Sequence, residues 1–186
     1  MKKMVLFASG NGSNVENIIQ YFQNNAAVSV AGVFSNNVQA KVLDKAKKYG
    51  VPTFTFDKKE LDESVVLNKI NTLQPDLIVL AGFLLKFPEH IIAAYPNKII
   101  NIHPALLPQY GGKGMYGMHV HRAILENKEK ETGITIHYVN EHYDEGEFIL
   151  QQKVNIESCQ TPEEIAGKVQ QLEYDYFPKT IKTLLK

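Results

Sequence analysis

The chain has 186 residues, with 20 Lys and Arg against 20 Asp and Glu, one cysteine and 44% apolar residues. That length suits one domain with an adequate core, and the apolar share excludes a disordered chain. The lone Cys159 excludes an internal disulfide, and a formal net charge of zero supplies no field to gather nucleic acid or an anionic membrane. Residues 4–8 are too short an apolar run for a secretory signal, and 77–85 too short for a membrane span. A cytoplasmic chain without nucleic-acid or membrane partners is therefore expected.

Short β-rich runs alternate with helical patterns. Residues 4–8 read as a first strand. Asn14 is expected to cap a helix through Gln23, because Val15, Ile18, Ile19 and Phe22 share one apolar face. A strand follows over 28–34, then a helix over 40–49 that Gly50 ends. Residues 53–56 read as a third strand, and 62–73 as a helix with Val66, Ile70 and Leu73 on a face. The continuous apolar run 77–80 predicts a strand covered on both sides. Pro88 opens a helix to Ala94, and 98–103 form a fifth strand stopped by Pro104. Residues 104–118, with four glycines and two prolines, read as a long loop of the kind that carries function. A helix over 119–127 follows, and strands over 134–139 and 148–156 are close enough to pair antiparallel. Thr161, Pro162 and Glu164 open a last helix toward Leu185 in the manner of a capping box.

This alternation predicts an α/β fold: an open, mostly parallel twisted sheet, helices on both faces, and an antiparallel strand near the C-terminus. No repeat, low-complexity tract or linker divides residues 1–186, so a single domain is expected. Sheets of this kind bind ligands beyond the carboxyl ends of their strands. Residues that follow strand ends are thus the candidates for chemistry.

Three places meet that condition. Ser9-Gly10-Asn11-Gly12-Ser13-Asn14 joins the first strand to the first helix, where glycines admit a ligand and free N–H groups face an anion. A dinucleotide is disfavoured, because Val15 stands where a small residue is needed and no acid follows the second strand. The lysine of a nucleotide-triphosphate loop is also missing, which leaves a single phosphate or a plain glycine turn. Asn101 and His103 lie two apart at a strand end and share a face. An amide can donate to a developing oxyanion, and an imidazole can do so or move a proton near neutral pH. Asp144 sits in a later turn, and a carboxylate approaching His103 would raise its pKa and fix its tautomer. His119 and His121 suggest a metal pair, but two residues apart at a helix start they do not face each other, and no metal is expected. His137, within a strand, reads as packed or cross-strand paired, and Glu173 as an exposed helix residue.

Taken in order, GNGSN at 10–14, LAGF at 80–83, NIHPALLP at 101–108, DEG at 144–146 and VQQLE at 169–173 resemble the folate-dependent formyltransferase family. The resemblance runs from about Met4 to Leu185, and GNGSN narrows it to the branch acting on glycinamide ribonucleotide. It implies a Rossmann-like formyltransferase fold over 1–186, with a phosphate-binding βαβ half at 1–100 and a catalytic, folate-binding half at 101–186. It implies transfer of the formyl group of 10-formyltetrahydrofolate, a co-substrate, to the glycine amine of 5-phosphoribosylglycinamide in de novo purine synthesis. No tightly bound cofactor is implied, and the choice between monomer and homodimer stays open.

The resemblance also assigns residues. Asn101, His103 and Asp144 match the catalytic set. Gly12, Ser13 and Asn14 match the phosphate segment, and Gln170 and Glu173 match positions facing the ribonucleotide. Leu84, Leu85, Lys86 and Phe87 match the segment that grips the folate ring. Asn140, Glu141, His142, Tyr143 and Asp144 match a loop over the same ring, where Asn101 also contributes. Lys59, with Lys58 as its rival, falls near a basic position on the folate. The chain departs from the family at Ala105, where Ser is usual, and at Glu145 and Glu147 in the Asp144 turn. A formyltetrahydrofolate hydrolase or another formyl transferase of the family is the alternative. The hydrolases typically carry a further N-terminal domain that 186 residues cannot hold.

Overall fold

The computed structural model describes residues 1–142 and 144–186. In chain order its elements are β1 (Lys2–Phe7), α1 (Ser13–Phe22), β2 (Val28–Ser35), α2 (Lys41–Lys48), β3 (Thr53–Thr55), α3 (Lys58–Asp62) and α4 (Ser64–Leu73). There follow β4 (Leu77–Leu80), α5 (Glu89–Ala94), β5 (Ile99–His103), α6 (Met118–Glu126), β6 (Glu131–Tyr138), β7 (Phe148–Asn155) and α7 (Pro162–Leu184). One sheet holds all seven strands in the order β3-β2-β1-β4-β5-β6-β7. Neighbours from β3 to β5 pair parallel, while β5–β6 and β6–β7 pair antiparallel. The expected Rossmann-like α/β architecture is present, with β6 as the antiparallel strand near the C-terminus, reversed against both of its neighbours.

Alternation along the central strands explains why both faces are covered. In β1, Met4 and Leu6 enter one core with residues of α1, α2, α6 and α7. Val5 and Phe7 enter the other core, with residues of α3, α4 and α5. Each such side chain, removed from water, contributes about 1.5–3 kcal/mol. Among the described residues, no helix is long and apolar enough to cross a membrane.

Three local readings change. Gly12, not Asn14, is the N-cap of α1, with φ of 68° and no side-chain cap. A Cβ there would collide with Val42, so the left-handed turn and the close approach both require glycine. Asn14 is thereby moved into the helix, free to bond elsewhere. The short helix α3 is additional, and a full capping box between Asp57 and Glu60 starts it. At α7, Thr161 accepts from the Glu164 N–H, but the Glu164 carboxylate accepts from the Gln160 N–H and not from the cap residue itself.

The strand order reverses between β1 and β4. The connections that leave their carboxyl ends therefore run to opposite faces of the sheet, α1 on one and α5 on the other, and leave a crevice between them. The junction 8–14 and the segment 81–87 leave the sheet at this point, and β5 ends beside them.

Candidate functional site

A cavity of about 580 Å³ opens at that reversal, a size that suits a drug-sized ligand. Its walls come from Asn14 in the first turn of α1, the ends of β4 and β5, the glycine-rich loop at 112–117, the Asp144 turn and one face of α7. Ser9 ties two of these walls together. Its N–H donates to Gly82 O at 3.0 Å, its hydroxyl donates to Asn36 Oδ1 at 2.7 Å, and it accepts from the Leu84 N–H at 3.0 Å. Behind the 83–87 segment, Phe83 and Phe87 pack edge-on to Phe7 at 5.5 and 5.2 Å between ring centroids, which fixes that wall.

The polar centre is built on β5 and β6. Asn101 and His103 face the cavity from β5, and antiparallel register sets Asn101 opposite His137 and His103 opposite Thr135. His103 and His137 are 4% and 2% exposed, so each ring depends on protein partners. The Nε2 of His103 lies 2.7 Å from Tyr110 O. A carbonyl only accepts, so Nε2 carries the hydrogen and Nδ1 is the nitrogen that titrates. That Nδ1 stands 3.6 Å from Asp144 Oδ2. The same logic applies to His137, whose Nδ1 donates to Tyr138 O at 2.8 Å. Its Nε2 stands 3.2 Å from Asn101 Nδ2 and 3.6 Å from Asp144 Oδ1.

Asp144 is held between them. Its Oδ2 accepts from the Gly112 N–H at 2.9 Å, and Asn101 Nδ2 reaches its Oδ1 at 3.5 Å. The residue has φ of 55° in a turn that Gly146 presses against β6, where a Cβ would collide with Tyr138 O. Burial alone would push the Asp144 carboxyl up. Hydrogen bonding to His137, the neighbouring His103 and the Gly112 N–H outweigh burial and hold it below its usual value. Asp144 is therefore ionised near neutral pH, with His103 Nδ1 and His137 Nε2 each 3.6 Å from one of its oxygens.

Asp144 pulls His103 upward as expected, but the net direction and the source of the tautomer need correction. Burial is the largest influence and pulls His103 below 6.5, although Asp144 and the Tyr110 carbonyl pull it upward. The Tyr110 carbonyl, not Asp144, fixes the tautomer. At rest the ring is neutral, beside an anion and with its open lone pair on Nδ1. Such a centre takes up a proton from an incoming N–H or O–H group and can return it. The second hydrogen of Asn101 Nδ2 is held only by the 3.5 Å approach to Asp144, and so is free to bond an oxygen in the cavity.

The cavity wall includes Asn14, Gln170 and Glu173 on its helical side. It includes Leu84, Leu85, Lys86 and Phe87 after β4, and Asn140 and His142 beside Asp144. Gly12 and Ser13 open α1 next to this wall, and Ser13 Oγ accepts from Gln170 Nε2 at 3.4 Å. Lys59 stands apart on α3, with its side chain 80% exposed and 3.9 Å from Glu63. Glu141 is exposed on the turn and is not part of the wall. Tyr143 lies outside the described residues. His119 is exposed and edge-on to Tyr116, whereas His121 is buried against the cavity, so the two diverge.

Glu173 is half-buried, not exposed as its helix position alone suggested. Desolvation pushes its carboxyl up to about 7, against one opposing bond from Asn14 Nδ2 at 2.9 Å. The other end of that amide, Asn14 Oδ1, is buried and has no partner among the described residues. It is an acceptor open to a ligand hydroxyl or N–H. Sequence reasoning missed His137, the Tyr110 carbonyl and the Gly112 N–H as parts of the site. His137 was visible only through the strand register, and the backbone groups carry no signal in residue type.

The formyl transferase family model matches residues 2–181, and the chain belongs to that family. A phosphoribosylglycinamide formyltransferase of Bacillus subtilis is 36% identical over 191 residues, spanning 100% of this chain and 95% of the relative. A chloroplastic phosphoribosylglycinamide formyltransferase of Arabidopsis thaliana is 35% identical across 97% of this chain, which spans only 64% of that longer relative. The crystal structure of a phosphoribosylglycinamide formyltransferase from Anaplasma phagocytophilum superposes with a TM-score of 0.90 at 33% identity, covering 99% of this chain and 87% of the other.

Proposed function

We propose that the chain transfers the formyl group of 10-formyltetrahydrofolate to the glycine amine of 5-phosphoribosylglycinamide, a step of de novo purine synthesis. The observation that carries this reading is the open Nδ1 of His103 set against ionised Asp144, with the Asn101 amide beside it. This is the chemistry that formyl transfer to an amine needs. The attacking amine must lose a proton, the formyl oxygen gains charge, and N10 must gain a proton as it departs. As the amine attacks, the neutral His103 Nδ1 takes up its proton under the attraction of Asp144. The imidazolium so formed and Asn101 Nδ2 then donate to the tetrahedral oxyanion. Collapse breaks the bond from carbon to N10, and the proton passes from the imidazolium to N10, leaving the formamide and tetrahydrofolate. The His103 cation is created by the first step and consumed by the last.

The substrates divide the cavity in this reading. The phosphate lies against Gly12, Ser13 and Asn14 at the start of α1, where N–H groups are free. The ribose and glycinamide lie along Gln170 and Glu173, with a hydroxyl or amide hydrogen satisfying the unpartnered Asn14 Oδ1. The folate ring lies against residues 84–87 and against Asn140, His142 and Asp144, with Lys59 or Lys58 near its acidic tail. Residues 1–100 thus hold the phosphate and 101–186 supply the catalytic groups within one domain. The names of the relatives support this choice of substrates. The test is an assay of formylated ribonucleotide with each substrate omitted in turn. Product that requires both supports the reading, and formate released without the ribonucleotide overturns it in favour of hydrolysis.

A further inference from the structure

Helix α7 carries Pro178 in its interior, and that residue is buried. Proline has no N–H to give, and its ring crowds the carbonyl four residues earlier, which here is that of Tyr174. The helix therefore leaves the Tyr174 carbonyl without its usual donor. A carbonyl partly withdrawn from water in that state is costly unless something else bonds it. Asn17 of α1 does so, with Nδ2 donating to Tyr174 O at 3.1 Å.

This bond is the last of three between the two helices. Gln170 Nε2 donates to Ser13 Oγ at 3.4 Å, and Asn14 Nδ2 donates to Glu173 Oε2 at 2.9 Å. Positions 13, 14 and 17 form one polar stripe on α1, and 170, 173 and 174 form the facing stripe on α7. The first two contacts join side chain to side chain. The third ends on a backbone atom and fixes the helix itself.

We propose that Asn17 is a positioning residue for the ribonucleotide subsite. By taking the carbonyl that Pro178 frees, it sets the rotation of α7 against α1 and hence where the Glu173 carboxyl stands in the cavity. The inference rests on reading Glu173 as part of that subsite. Only a donor serves at position 17, because the partner is a carbonyl. Asparagine meets that need, and aspartate of the same shape offers only acceptors.

Asn17→Ala is expected to raise KM for 5-phosphoribosylglycinamide by about five- to tenfold, the scale of one hydrogen bond, with kcat and the folate KM nearly unchanged. Asn17→Asp is expected to raise it further, since a carboxylate would face the carbonyl. In a Pro178→Ala background the helix supplies its own N–H to Tyr174, and Asn17→Ala there should change KM by less than about twofold. An equal effect in both backgrounds overturns the inference. Should Pro178→Ala fail to fold, the order at position 17 decides: KM rising from Asn to Ala to Asp supports it, and Asp matching Asn overturns it. Glu173→Gln is measured alongside. If it leaves the ribonucleotide KM unchanged, the subsite reading of Glu173 fails. If it raises KM while Asn17→Ala does not, the positioning inference alone fails.

Discussion

Glu173→Gln isolates the cost of keeping a carboxylate beside the cavity. Burial pushes Glu173 from an ordinary value of 4.5 up to about 7. A group raised by folding holds its proton more tightly in the native state. Its contribution to stability is complete below pH 4.5 and is lost as pH rises through about 7. At about 1.4 kcal/mol per pH unit the whole window corresponds to roughly 3 kcal/mol, and solvent at the half-buried carboxyl reduces this to about 2 kcal/mol. Glutamine fills the same space and has no proton to lose. Urea denaturation of both proteins at pH 5 and pH 8 reads the difference. Relative to the variant, the wild type should be about 2 kcal/mol less stable at pH 8 than it is at pH 5. A gap between the two proteins that stays the same at both pH values would refute the reasoning, since burial would then not govern this group.

The catalytic centre yields further expectations. Asn101→Ala should lower kcat by about 10²–10³, the cost of losing one oxyanion donor, and His103→Ala by at least as much. Rates near wild type in both would remove these residues from the chemistry. His137→Ala removes the ring nitrogen beside the Asn101 amide and should lower kcat about tenfold with little change in either KM. An unaltered kcat would mean that His137 only packs. In an NMR titration, His103 should protonate below pH 6.5, because burial outweighs the pull of Asp144. Asp144→Asn removes that pull and should move the midpoint lower still, so an upward move contradicts the account. Gly146→Ala would set a Cβ against Tyr138 O and should cost about 1–3 kcal/mol, read as a lower Tm, together with a loss of kcat as the Asp144 turn is displaced.

What could be read from the residues depended on the range of the forces involved. Strand and helix alternation is local, and the run at 77–80 announced a strand covered on both sides. The β4 strand is buried throughout. The pairing of Asn101 with His103 on one face was equally local, because two residues along a strand always share a side. The α3 helix was written in Asp57 and Glu60, whose spacing is that of a capping box, yet its five residues carry too little apolar period to stand out. The N-cap of α1 was misplaced because Asn14 has a good capping side chain, whereas the glycine at position 12 wins on backbone geometry and packing against Val42.

The rest of the site required contacts between distant parts of the chain. His137 enters through a register between β5 and β6 that residue types do not specify. The neutral state of His103 follows from how deeply the ring is buried, and its tautomer from a carbonyl seven residues away in the loop. The Asn17 contact follows from a proline in the last helix and a carbonyl that only the packing of α7 on α1 brings within reach.

Formyl transfer by the purified protein tests the proposed function most directly. The ribonucleotide product should be followed while 10-formyltetrahydrofolate and 5-phosphoribosylglycinamide are varied in turn. Saturable formation of the formylated ribonucleotide, dependent on both substrates and abolished in a His103→Ala protein, is the predicted result. No product with both substrates present, or formate released at the same rate with the ribonucleotide left out, would contradict it.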